Sequence, residues 1–168
     1  IVDDNYLSAE GIEKNIDWET LNAEIIHVCY NGTSAIEAMK KEPADLIISD
    51  IEMPDLDGIS MSRQALEINP MVKIILISAY DKFEYARRAL LLGALDYIEK
   101  PLDYAYLIQK VKNAFALMEK EQKNLQLLKQ SRPLLTEKFF REITHLPSSE
   151  AAYRLKPYLK YLNLELNY

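Results

Sequence analysis

The chain has one cysteine in 168 residues, no long hydrophobic run and no excess of positive charge. Each absence excludes something. A lone Cys29 allows no intrachain disulfide and offers no thiolate cluster to a metal. It is expected in a buried strand, where a free cysteine behaves as a small hydrophobe, in keeping with a reducing, cytoplasmic setting. No apolar stretch approaches the roughly 20 residues a membrane span needs, so no membrane partner is expected. The formal net charge of -6 argues against direct nucleic-acid binding by these residues. His27 and His145 show no ligand spacing and are read as structural. No signal peptide is visible. The chain opens at Ile1-Val2 without a methionine, which reads as the tail of a strand whose first residues are missing.

What is present is a globular pattern, 49% hydrophobic and 27% charged, long enough for one well-cored domain and part of a second. Residues 5–16 place Leu7, Ala9, Ile12 and Ile16 near one face and read as a helix capped by Asp4 or Asn5. Residues 25–30 read as a second strand, and residues 33–41 as a helix with Ala35, Ile36 and Met39 inward. Residues 46–48 form a wholly apolar third strand ending at Ser49-Asp50. A helix follows Asp57-Gly58 and stops near Asn69-Pro70. Residues 74–77 are a fourth strand ending at Ser78, and residues 81–92 a fourth helix closed by Gly93. Residues 95–98 are a fifth strand leading to Lys100-Pro101, and a long fifth helix begins near Asp103. Strands apolar on both faces, alternating with helices, indicate a parallel sheet covered on both sides. Five such units match an α/β, flavodoxin-like, doubly wound five-stranded parallel sheet followed by a mostly helical segment. Functional groups in that fold gather beyond the carboxyl ends of the strands.

The strand ends carry the chemistry. Asp3-Asp4, Asp50, Ser78 and Lys100 all project to one edge of such a sheet. Three carboxylates packed together repel one another, and a hard divalent cation offsets that repulsion. Oxygen-only ligands that leave waters in place suit Mg²⁺. A carboxylate beside such a cation can attack phosphorus to give an acyl phosphate. Lys100 would supply a point charge to the phosphoryl oxygens and Ser78 a hydrogen bond.

These residues resemble the response regulator receiver family. The matching pieces are Ile1-Val2-Asp3-Asp4, then Ile48-Ser49-Asp50-Ile51-Glu52-Met53-Pro54 and Asp57-Gly58, then Ser78-Ala79, Gly93-Ala94 and Tyr97-Ile98-Glu99-Lys100-Pro101. The resemblance implies a phosphoryl acceptor at Asp50, served by a sensor histidine kinase. It implies Mg²⁺ held by Asp3, Asp4, Asp50 and the backbone carbonyl of Glu52, with Asp4 more direct than Asp3. Ser78 and Tyr97 would form a switch pair, and the side chains of Glu52 and Tyr80 would tune dephosphorylation. Lys100-Pro101 would be a cis peptide that aims the lysine into the pocket. Serine at 78 stands where threonine is commoner, and it keeps the hydroxyl. The implied product is a switch, not an enzyme, with at most slow self-dephosphorylation.

The receiver is assigned to residues 1–118, and residues 119–168 to a helical linker and the start of a middle domain. Val111, Met118 and Leu125 fall seven apart, as do Leu107, Ala114, Glu121 and Leu128, so the 104–130 helix carries an interrupted heptad seam. It either pairs with a second copy or packs on its own chain. A second route to a homodimer is the face made by the fourth helix, fifth strand and fifth helix. Arg132-Pro133 is expected to break the helix, with a further helix at 134–143. A turn at 147–150, a helix at 151–162 and a strand beginning at 164–166 are expected after it. The run from Arg132 to Glu142, with Ile16-Asp17-Trp18 and Ser78-Ala79-Tyr80-Asp81, is similar to YesN-type regulators. That subfamily ends in an AraC-type helix-turn-helix domain, so DNA binding would belong to a C-terminal domain absent from this sequence.

Two other functions fit parts of the pattern. A haloacid-dehalogenase-type phosphatase also uses a strand-end aspartate, a hydroxyl, a lysine and Mg²⁺. It carries a later acidic motif, whereas the fifth strand here leads to Lys100-Pro101. A degenerate receiver would serve only as an interaction module, and the intact acceptor set argues against it.

Overall fold

The computed structural model describes the backbone of residues 1–79 and 83–143, and the side chains of these residues apart from 83 and 131–143. Tyr80 lies outside the described residues, as do the turn expected at 147–150, the helix at 151–162 and the strand at 164–166.

Ile74-Ile75-Leu76-Ile77 explains the centre of the molecule. All four are at most 2% exposed, which requires apolar cover on both faces of their strand. The element order is α1 (Tyr6–Asn15), α2 (Gly32–Lys41), β1 (Leu46–Asp50), α3 (Gly58–Ile68), β2 (Lys73–Ser78), α4 (Phe83–Leu92), β3 (Asp96–Glu99) and α5 (Tyr104–Ile143). β1 and β3 pair parallel with β2 on its two sides, with Asp50 opposite Ile77 and Ser78 opposite Glu99. Beyond β1, Val2 bridges Ser49 on one side and Cys29 on the other, both parallel. Backbone bonds continue this edge: Val2 N donates to Ile48 O at 2.8 Å, and Cys29 N to Ile1 O at 2.9 Å. Five parallel segments therefore run in the order 25–29, 1–3, β1, β2, β3.

The strands expected at Ile1-Val2 and residues 25–30 are single bridges here, not ladders. Ile1-Val2 offers its neighbour too few residues for a continuous ladder, so pairing is confined to the neighbourhood of Cys29. Cys29 itself is buried, as expected.

Alternation along the strands separates two cores. Ile47, Ile74 and Leu76 join Ala35, Ile36 and Met39 of α2, Ile59, Met61 and Ala65 of α3, and Ala89 of α4. Ile48, Ile75, Ile77 and Ile98 join Ile12 of α1 and Leu107 and Val111 of α5, together with Ile16. Ala9 and Ile12 are the buried residues of α1, whereas Leu7 is 74% exposed and does not face inward as expected. Two residues turn a helix by about 200°, which puts Leu7 nearly opposite Ala9.

The starts of α1, α2, α3 and α5 each have a chemical cause. Asn5 caps α1, its side chain accepting from the amides of Leu7 and Ser8; Asn31 caps α2 and Asp57 caps α3. Asp103 Oδ1 accepts from the amides of Ala105 and Tyr106 at the start of α5. Gly93 sits at φ +84°, the left-handed conformation that closes α4.

The chain divides into two compact units, Ile1–Ala116 and Leu117–Tyr168. Within the first, Leu107, Val111 and Ala114 are fully buried, so this part of the heptad seam packs on its own chain. Within the second, Leu125 and Leu128 are exposed. The helix does not break at Arg132-Pro133; α5 runs to Ile143 and absorbs the separate helix expected at 134–143. A proline removes one donor at about 3 kcal/mol, which the flanking turns of a long helix can offset. Among the described residues, no helix is long and apolar enough to cross a membrane.

Candidate functional site

Four short segments meet beyond the carboxyl ends of the strands. Asp3 follows the Val2 bridge and is 1% exposed. Its Oδ1 accepts from the amide of Asn5 at 2.9 Å, so the residue that leaves the sheet is tied to the one that caps α1. Asp4, between them, is exposed. Asp50 closes β1 and is 6% exposed, and its Oδ1 accepts from the amide of Glu52 at 3.2 Å. One carboxylate oxygen from each of Asp3, Asp4 and Asp50 lies within 4.8 Å of the others.

Lys100 enters from the end of β3. Its amide donates to the carbonyl of Ser78 at 2.8 Å, which fixes the segment against β2. The Lys100-Pro101 bond is cis. The ammonium then donates to Asp50 Oδ2 at 2.6 Å and to Asp3 Oδ2 at 3.0 Å. Burial would lower the pKa of this lysine, but its hydrogen bonds to Asp50 and Asp3 outweigh burial and raise it. Burial pushes the Asp3 carboxyl above its ordinary range, against the lowering effect of the Lys100 hydrogen bond. One cation thus bridges two buried carboxylates, and the third faces solvent.

The loop after Asp50 is held tightly. Gly58 N donates to Ile51 O at 2.9 Å, and Asp57 accepts from Ser60 N at 2.8 Å. A Cβ on Gly58 would lie 2.0 Å from the carbonyl oxygen of Asp50. Only glycine lets the start of α3 approach β1 this closely. Asp55, in the same loop, holds φ +66°, a conformation that aspartate tolerates better than most residues.

The remaining expected residues fall around this centre. Ser78 is fully buried at the end of β2, directly after the partner of Asp50. Tyr97 is half-buried in β3 and packs against the core shared by α2, α3 and α4. The side chain of Glu52 points toward α4, where the Tyr85 hydroxyl donates to its Oε1 at 3.2 Å. Tyr85 was not singled out from the sequence. Nothing in the local pattern of α4 relates it to a residue 33 positions earlier.

The donor set fits a hard divalent cation. It offers carboxylate oxygens from two buried groups and one exposed group, with an open side for water.

Known proteins share this arrangement of the chain. YesN of Bacillus subtilis strain 168, described as an uncharacterized transcriptional regulatory protein, is 28% identical over 121 residues, spanning 72% of this chain and 33% of YesN. The chain therefore spans about a third of that relative's length. The REC domain of AraT, a response regulator from Geobacillus stearothermophilus, superposes with a TM-score of 0.68 at 34% identity, covering 72% of this chain and 94% of that one. A chain from the CheX-CheY-BeF₃-Mg²⁺ complex of Borrelia burgdorferi gives a TM-score of 0.60 at 29% identity, covering 68% and 85%. The family model of the response regulator receiver domain matches residues 1–112, a span that contains, among the described residues, every strand and every member of the acidic cluster. By that match and this geometry, the chain belongs to the response regulator receiver domain family.

Proposed function

We propose that Asp50 accepts a phosphoryl group from a phosphohistidine of a sensor histidine kinase. The single observation that carries this is the Lys100 ammonium bridging Asp50 and Asp3, with Asp4 beside them. An oxygen of Asp50 attacks phosphorus, the P–N bond breaks, and its electron pair stays on the donor imidazole. Lys100 is already within reach of Asp50, so it can turn one of its hydrogen bonds onto a phosphoryl oxygen without crossing the pocket. The Ser78 hydroxyl supplies another donor from the end of β2. Asp3, Asp4, Asp50 and the Glu52 carbonyl would hold Mg²⁺, which neutralises charge on the incoming group.

The switch reading follows from what phosphorylation adds: charge and acceptor oxygens at Asp50. Ser78 moves toward the new group, Tyr97 turns inward, and the face of α4, β3 and α5 is remodelled. The relatives' printed names support a transcription regulator as the whole protein. DNA binding would then lie in a domain outside this sequence. A homodimer through the α4–β3–α5 face or the 104–130 helix belongs to the same proposal, as do slow self-dephosphorylation and a cytoplasmic location.

The test is intact mass after incubation with acetyl phosphate and Mg²⁺, set beside Asp50→Asn. One added phosphoryl that requires Mg²⁺ and vanishes in the variant is expected. The same sample should shift the ring resonances of Tyr97. No added mass with fast phosphate release would favour a phosphatase, and no reaction at all a degenerate interaction module. Added mass with unchanged Tyr97 resonances would remove the switch step alone.

A further inference from the structure

Glu52 is bound at both ends. Its amide donates to the acceptor carboxylate of Asp50, and its own carboxylate accepts from Tyr85 on α4. Tyr85 is half-buried and packed against the core beneath α2, α3 and α4. A phenol seated in a core is a fixed donor, because moving it would open a cavity. The Glu52 carboxylate is thereby held toward α4, although its backbone starts two residues from Asp50.

We propose that Tyr85 is a positioning residue that restrains Glu52 from acting as a base in hydrolysis of the Asp50 acyl phosphate. The inference rests on Asp50 being the acceptor. In hydrolysis, a water oxygen attacks phosphorus and the P–O bond to Asp50 breaks. The electron pair returns to the Asp50 carboxylate, inorganic phosphate leaves, and the water proton passes to a base. A carboxylate one short loop away can take that proton if it is free to turn. With Oε1 hydrogen-bonded to Tyr85, Glu52 is aimed away from Asp50 and toward α4. The bond also ties α4 to the lifetime of the phosphorylated state, since a shift of α4 moves the phenol.

The test compares four proteins loaded with acetyl phosphate and Mg²⁺: the chain as it stands, Tyr85→Phe, Glu52→Gln and the double variant. Loss of the added phosphoryl is followed by intact mass, and thermal midpoints are recorded in parallel. Tyr85→Phe should shorten the lifetime about fivefold, modest beside the ~10²–10⁴ that a well-placed general base can contribute. Glutamine keeps the size of Glu52 and its oxygen acceptor but takes no proton, so Tyr85→Phe should change nothing in that background. A lifetime in Tyr85→Phe that is unchanged or longer overturns the proposal. So does an equal shortening in both backgrounds, which would mark a purely structural effect. Failure of the starting protein to gain a phosphoryl group would instead sink the acceptor reading itself.

Discussion

Asp3 shows how one residue serves fold and chemistry together. Its amide completes the edge pairing by donating to Cys29 O at 3.1 Å, its Oδ1 accepts from Asn5 N, and its Oδ2 accepts from Lys100. Burial raises its carboxyl above the ordinary range. A proton and a divalent cation compete for the same oxygens, so Mg²⁺ affinity should fall as pH drops through the raised value. The loss should begin at higher pH than for an ordinary aspartate, near 4. Calorimetric Mg²⁺ titrations from about pH 8 to about pH 5 would show it. Affinity that stays flat over that range would count against Asp3 as a ligand. The sequence offered Asp4 or Asn5 as the cap of the first helix. The cap is Asn5, which leaves both aspartates to the pocket.

At the scale of elements, the approach of α3 to β1 fixes the backbone at Asp50. The Asp57-Gly58 pair was legible as a helix start, because aspartate caps and glycine follows it. That Gly58 faces the Asp50 carbonyl was not legible, since the contact crosses a loop whose course the local pattern does not dictate. Gly58→Ala would bring a Cβ to 2.0 Å from that oxygen, which is backbone and has no rotamer to change. The variant should lose at least about 1–3 kcal/mol of stability, the usual cost of overpacking. It should also accept phosphoryl groups more slowly, as β1 shifts. Urea denaturation and intact mass measure the two effects, and a variant of unchanged stability would contradict the packing. Elsewhere, β3 and α5 are joined by Lys110, whose Nζ lies 2.6 Å from Asp96 Oδ2 and 4.7 Å from the Tyr106 ring centroid.

At the scale of the whole molecule, Leu107 and Val111 complete the core shared with β1, β2 and β3, Ala114 is buried one turn further on, and all three precede the unit boundary after Ala116. A chain ending at 118 therefore keeps every buried side chain of the first unit. It should fold, bind Mg²⁺ and accept a phosphoryl group as the longer chain does, with a thermal midpoint within about 5 °C, the shift expected from about 1 kcal/mol. A chain of residues 1–118 that fails to fold would show that residues after 118 contribute to the receiver itself. The heptad spacing of Leu107, Ala114 and Leu128 could not anticipate this division, because one spacing serves two environments. The first two are core, and the third is exposed.

Local chemistry determined much by itself. Short β-branched runs such as Ile74-Ile75-Leu76-Ile77, set between helical stretches, read as strands covered on both faces, and Asp57 and Gly93 mark helix ends through hydrogen bonds and dihedral freedom that belong to the residue. Tertiary structure decided what depends on distance through space. It chose which face of α1 is buried, leaving Leu7 outside, and carried α5 past Pro133. It set the Lys100 ammonium between Asp3 and Asp50, and joined Tyr85 to Glu52 across 33 positions of sequence. A residue's own propensities act within a few positions, whereas a pocket is assembled by packing among segments far apart in the chain.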